Sequence, residues 1–189
     1  MTKVLIAEDE AVIRLDLRKM IVAAGMRVCA EARDGAEAVE LARSTSPDLA
    51  LLDVKMPKID GIEAARQILA QRPIPIVVVS AYSERALVDR AAEAGVFGYL
   101  TKPFREDDLL PAIATARARF GELEALREEV DSLTEALAAR KAVERAKGLL
   151  MAKQGLSEEE AFARLRNASA ATGRPLRVIA EAIVQTLSG

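Results

Sequence analysis

Ile76-Val77-Val78-Val79-Ser80 decides the fold. Four consecutive β-branched residues leave no polar side to face water, so the run reads as a central strand buried on both faces, as in parallel sheets. Working outward, similar short apolar runs recur at 49–53, 98–101, 27–32 and 4–7. Between them apolar residues step at helical spacing near 11–24, 35–45, 61–71 and 84–94, and a fifth helix begins near Glu106. Strict alternation of strand and helix predicts an α/β fold: a five-stranded, doubly wound parallel sheet with helices on both faces.

Composition narrows what such a fold can do. With 189 residues, the chain has room for one ordinary domain plus a smaller one. Twenty-seven cations against 29 acids give a formal charge of −2, so any polyanion site must be local. The absence of histidine excludes a Ser-His-Asp hydrolase and a phosphohistidine-forming kinase domain. Cys29 is the single cysteine, which rules out an intramolecular disulfide and a cysteine-rich zinc site; its apolar neighbours Val28 and Ala30 predict a buried structural thiol. Acids at Glu8 and Asp9 come too early for a signal peptide and no run approaches the ~18 apolar residues of a membrane span, so a cytoplasmic protein is expected.

From Ile113 the pattern turns purely helical, and residues 112–174 contain no proline. Leu123, Leu126, Val130, Leu133 and Leu137 step by three and four, which is a heptad seam. Arg119 and Arg140 fall on the same seam, so a pairing coiled coil and a helix buried within the fold both remain open. Pro111 is expected to kink the fifth helix or delay its start. Beyond the seam, Val143, Ala146 and Leu150 form one stripe and Phe162, Leu165 and Ala168 a second; Leu176, Ile179, Ala180, Ile183, Val184 and Leu187 form a third. Gly155 can stop the first of these helices, Ser157 and Glu160 supply a capping box for the next, and Thr172-Gly173-Arg174-Pro175 breaks it. A small three-helix module is predicted.

In an open parallel sheet, functional groups gather beyond the carboxyl ends of the strands. Four predicted strand ends here carry Glu8-Asp9, Asp53, Ser80 and Lys102. Three carboxylates in one crevice repel, each pair by ~4 kcal/mol at 4 Å with an effective dielectric near 20. Lys102 supplies one compensating charge, and a hard, oxygen-seeking dication such as Mg²⁺ fits the remainder. Acid, metal, hydroxyl and amine together suit phosphoryl transfer to a carboxylate.

The set Glu8-Asp9, Asp53-Val54-Lys55-Met56-Pro57 with Asp60-Gly61, Ser80-Ala81 and Lys102-Pro103-Phe104 closely resembles the receiver domain of two-component response regulators, a flavodoxin-like fold, over residues 3 to about 118. The resemblance implies that Asp53 accepts phosphate from the phosphohistidine of a sensor histidine kinase. It further implies that Glu8 and Asp9 bind Mg²⁺ with Asp53 and the Lys55 carbonyl, that Ser80 and Lys102 contact the phosphoryl group, and that a cis peptide precedes Pro103. Tyr99 stands where the family has a rotating aromatic switch; a half-buried strand tyrosine is the other reading. Such a protein is a phosphoacceptor rather than an enzyme, with slow self-dephosphorylation at most.

Only the tail is basic: residues 141–189 hold eight cations and five acids. Lys141, Arg145, Gly148 and Ala152 share a helix face, with Lys147 flanking it, and a glycine inside a helix costs ~1 kcal/mol against alanine, so Gly148 asks for a reason. The order Arg140, Val143, Ala146-Lys147-Gly148-Leu149-Leu150-Met151, Gly155-Leu156-Ser157, Ala161-Phe162, Leu165-Arg166, Ala168 and Ala180 resembles the ANTAR family of RNA-binding transcription antiterminators. That resemblance implies a module that binds paired hairpin loops in nascent RNA. Arg140, Lys147, Gly148 and Arg166 are the candidate RNA contacts. The expected organisation is a receiver at 1–118, a helical coiled-coil linker at 119–139 that pairs two copies on phosphorylation, and a three-helix ANTAR-like domain at 140–189. The competing outputs are a DNA-binding transcription regulator, for which no basic recognition helix is evident, and a protein-interaction arm.

Overall fold

A computed structural model describes residues 1–81 and 85–187. The chain separates into two compact units, Met1–Leu123 and Glu124–Gly189.

In the first unit β1 (Lys3–Ala7), β2 (Arg27–Ala32), β3 (Leu49–Asp53), β4 (Ile76–Ser80) and β5 (Gly98–Thr101) form one parallel sheet in the order β2-β1-β3-β4-β5. The connecting helices are α1 (Ala11–Ala23), α2 (Gly35–Thr45), α3 (Gly61–Gln71) and α4 (Arg85–Glu93), and α5 (Glu106–Gln154) follows β5. Residue 84, where the fourth helix was expected to start, lies outside the described residues.

Successive strand residues point to opposite faces, and each face carries its own core. Leu5, Leu52, Ile76 and Val78 meet Ile62, Ala65 and Ile68 of α3 on one side. Val4, Ile6, Leu51, Val77 and Val79 meet Leu17 and Ile21 of α1 and Leu109, Ile113 and Ala116 of α5 on the other. Each fully buried Leu or Ile is worth about 1.5–3 kcal/mol. That burial explains why Pro111 neither delays nor ends the helix: α5 already runs from Glu106 and continues through it. The missing proline N–H forfeits one backbone bond, while Leu109 and Ile113 on either side are anchored in the core. Asp34 and Asp60 accept backbone N–H bonds from Glu37 and Glu63, capping α2 and α3. Cys29 is half-buried rather than buried, because its strand lies at the sheet edge; its Sγ lies 3.4 Å from the Val4 carbonyl.

The second unit contains the end of α5, α6 (Glu158–Thr172) and α7 (Leu176–Leu187); residues 188–189 of the expected module are outside the described part. Gly155 and Gly173 adopt φ of 67°, the left-handed conformation that ends a helix. Ser157 and Glu160 form the complete capping box. Ala146, Leu150, Ala161, Leu165 and Ala180 make the core, with Val143, Ile179, Ile183 and Leu187 packed on it. Phe162 is a correction to the expected core stripe: it is 41% exposed. Ala161, not Phe162, takes the inward position of α6 beside Leu165, joining Ala146, Leu150 and Ala180 in the core. Leu126, Val130, Leu133 and Leu137 are all exposed, so the seam is not buried within the chain.

Candidate functional site

Strand register assembles the first site. Ala7 pairs with Leu52, so Glu8 and Asp53 emerge side by side where the order reverses between β1 and β3. Ser80 pairs with Thr101, which brings Lys102 across from β5. Glu8 is fully buried, Asp53 is 5% exposed, Ser80 is buried and Asp9 is exposed at the rim. One carboxylate oxygen from each of Glu8, Asp9 and Asp53 lies within 4.8 Å of the others. The Lys102 ammonium donates at 2.7 Å to both Glu8 Oε2 and Asp53 Oδ1.

These charges act on one another in a defined direction. Burial pushes the carboxyl groups of Glu8 and Asp53 above their ordinary values, and neighbouring acids add to the effect, more than Lys102 can offset. Burial alone would lower Lys102, but its bonds to Asp53 and Glu8 outweigh it and hold the ammonium above the usual lysine value. The donor set is hard oxygen with a surplus of negative charge, which fits a hard dication. The Lys55 N–H also bonds the Asp53 carboxylate, while the Lys55 side chain is exposed. The Lys102–Pro103 peptide is cis. Tyr99, half-buried beside Val78, packs against the core on the α3 and α4 side.

Three residues support the site in ways that motif spacing alone does not assign: Asp60 and Gly61, which belong to the receiver motif, and Arg14, which the sequence did not mark. Arg14 donates to the Glu8 carbonyl at 2.6 Å and braces the acidic turn. Gly61 begins α3 against the end of β3, where a Cβ would collide with the Asp53 carbonyl. Asp60 caps α3 and at the same time receives Arg90 of α4 at 2.8 Å. Of these contacts only Asp60–Arg90 joins segments far apart in the sequence; the others are set by the local turns after β1 and β3.

In the second unit the four candidate contacts are not alike. Arg140 and Arg166 are exposed. Gly148 is exposed, with nothing within 4 Å of where a Cβ would stand. Lys147 is 8% exposed, and its ammonium bonds Glu158 at 2.6 Å and Glu144 at 3.1 Å. Those two carboxylates raise Lys147 above its ordinary value, Glu158 first, and Glu158 is lowered in return.

Residues 4–114 match the model of the response regulator receiver domain, and residues 131–184 match that of the ANTAR domain. The transcriptional regulatory protein PdtaR of Mycobacterium tuberculosis is 50% identical over 185 residues, spanning 98% of this chain and 90% of that protein. The chain belongs to the ANTAR response regulators. The signal receiver domain of a modulated diguanylate cyclase from Desulfovibrio desulfuricans superposes on this response regulator with a TM-score of 0.60 and 32% identity, over 66% of this chain and 98% of that one. The CheX–CheY–BeF3–Mg²⁺ complex from Borrelia burgdorferi gives 0.58 and 26%, over 59% and 86%. Among the described residues no helix is long and apolar enough to cross a membrane.

Proposed function

We propose that this ANTAR response regulator is switched by phosphorylation of Asp53 by a sensor histidine kinase and that the phosphorylated form binds RNA hairpin loops to control transcription antitermination. The observation that carries the reading is the Lys102 ammonium held at 2.7 Å by both Asp53 and Glu8 in a cluster with more acids than cations. In the transfer, an Asp53 carboxylate oxygen bonds to phosphorus as the phosphorus–nitrogen bond of phosphohistidine breaks, and the imidazole leaves with its proton. Glu8, Asp9, Asp53 and the Lys55 carbonyl would hold Mg²⁺, which supplies positive charge for the phosphoryl oxygens. Lys102 adds a second positive contact and Ser80 a hydroxyl, both of which turn from their resting partners toward the new group. Tyr99 then follows inward and reshapes the face formed by α4, β5 and the start of α5. The chain supplies no further catalysis beyond slow hydrolysis of its own acyl phosphate.

On the output side, the exposed seam of Leu126, Val130, Leu133 and Leu137 pairs two copies, and pairing raises the apparent RNA affinity by tethering two weak sites. Arg140, Gly148 and Arg166 lie exposed for RNA, while Lys147 supports them from beneath. Light scattering and hairpin binding with and without Mg²⁺ and beryllofluoride test the switch. A dimer with at least tenfold tighter RNA binding is expected; a monomer in both conditions with unchanged affinity contradicts it.

A further inference from the structure

The cations of the second unit fall into two sets. Arg127, Lys147 and Arg177 are ion-paired, to Glu124, to Glu144 and Glu158, and to Glu135 and Glu181 respectively. Arg164 is hydrogen-bonded to Gln154. Arg140, Lys141, Arg145, Lys153, Arg166 and Arg174 make no ion pair with any described residue, and of these Lys141 and Arg145 share a groove. They stand one turn apart on α5 and, with Ala142, line a groove of about 270 Å³ whose other side is Glu181, Val184 and Gln185 of α7. Glu181, the one acid there, is already bound by Arg177 at 2.7 Å. The groove is therefore positive, and its lining includes the small apolar Ala142 and Val184 and the Gln185 amide, which both donates and accepts.

Gly148 lies on the same α5 face, one turn beyond Arg145. A glycine inside a helix costs ~1 kcal/mol relative to alanine, and among the described residues nothing beyond its own helix backbone and chain neighbours comes within 4 Å of where its side chain would stand. Packing within the protein does not call for glycine here. What its absence of side chain does provide is a bare stretch of helix surface beside two unpaired cations.

We infer that the groove between residues 141–145 of α5 and 181–185 of α7, extended by the notch at Gly148, is the surface that seats the RNA hairpin loop. Lys141 and Arg145 take backbone phosphates, Gln185 reads a base edge, and Gly148 lets the strand pass close to the helix. Lys147 is a positioning residue, joining α5 to α6 through Glu158. The inference rests on the proposed RNA-binding function.

The test uses the full chain with Mg²⁺ and beryllofluoride, and a pool of RNA hairpins with randomised loops enriched on the native protein. One enriched hairpin is then titrated at several salt concentrations against the native chain and single variants. Lys141→Gln and Arg145→Gln are each expected to weaken binding about tenfold and to reduce the salt slope by about 0.7. Gly148→Ala is expected to weaken binding without lowering the melting temperature, which separates recognition from folding. Lys147→Met lowers the melting temperature but keeps the native salt slope, and Lys153→Gln binds as the native chain does. Native affinity and slope in a folded Lys141→Gln/Arg145→Gln chain, or native affinity in Gly148→Ala, would overturn the groove while leaving RNA binding intact. Failure of the native protein to enrich any hairpin would overturn the RNA reading itself, and the groove with it.

Discussion

Two lysines in this protein are each held by two carboxylates at hydrogen-bond distance: Lys102 by Glu8 and Asp53, and Lys147 by Glu144 and Glu158. The difference lies in the acids. Around Lys102 two of them are buried, a third stands close by, and burial drives both buried carboxyls up. Around Lys147 the carboxylates are well exposed, and Glu158 is lowered by the lysine it binds. The first arrangement is electrostatically unsatisfied and accommodates added positive charge or a change of partner. The second is satisfied as it stands and serves as a clamp. Similar contact geometry thus leaves surplus negative charge in one place and a balanced brace in the other, and solvent decides which.

The sharpest way to break this contrast is to remove each lysine. Lys102→Met leaves two buried carboxylates without their cation, and stripping one partner from a buried pair costs about 3–5 kcal/mol. Denaturant unfolding of the receiver in chelator should show that loss, with part of it recovered in Mg²⁺. Lys147→Met should cost clearly less, because its acids relax into water, and Mg²⁺ should not restore it. Equal losses would abolish the distinction.

Glycine substitutions sharpen the comparison at the backbone. Gly61→Ala drives a Cβ into the Asp53 carbonyl and should destabilise the receiver by about 1–3 kcal/mol or more. Gly121→Ala, with open space at the Cβ position, should stabilise α5 by ~1 kcal/mol. Thermal melts of both variants check the pair of opposite signs.

The smallest expected effect is in pH. Asp53 has a raised carboxyl, so the folded state holds its proton longer than the unfolded chain does, and stability falls as pH rises from about 4, the unfolded value, through the folded one. In magnesium-free buffer Asp53→Asn should therefore gain on the native receiver as pH rises over that window. Glu158 is lowered, so its contribution is full above about 4.3 and is lost as pH falls through the folded value. Glu158→Gln should then lose ground to the native chain as pH rises toward 5. Matched unfolding curves across roughly pH 3–8 would show opposite slopes.

Much of the receiver was legible because its strands are short, β-branched and end in functional groups: Asp53, Ser80 and Lys102 each close or follow a strand whose limits the sequence marks. Register then does what spacing could not, placing Glu8 beside Asp53. The second unit was harder to read. The sequence put Phe162 on the core stripe with Leu165, but Ala161, four residues before Leu165, is the one buried with Ala146 and Ala180. Glu144 is visible from the sequence as a neighbour of Lys147 one turn away, but Glu158 reaches it from another helix, so the burial of Lys147 left no local trace. Pro111 read as a kink or a late helix start because propensity is local, whereas the burial of Leu109 and Ile113 that carries α5 from Glu106 through it is tertiary.

The most direct test of the switch is to treat native protein and Asp53→Asn with a small acyl phosphate in Mg²⁺ and follow intact mass, trapping the acyl product with borohydride for peptide mapping. One phosphoryl group on Asp53 in the native chain, absent from Asp53→Asn and lost in chelator, is the predicted result. Equal labelling of the variant, labelling mapped to another residue, or no labelling of the native chain would contradict it.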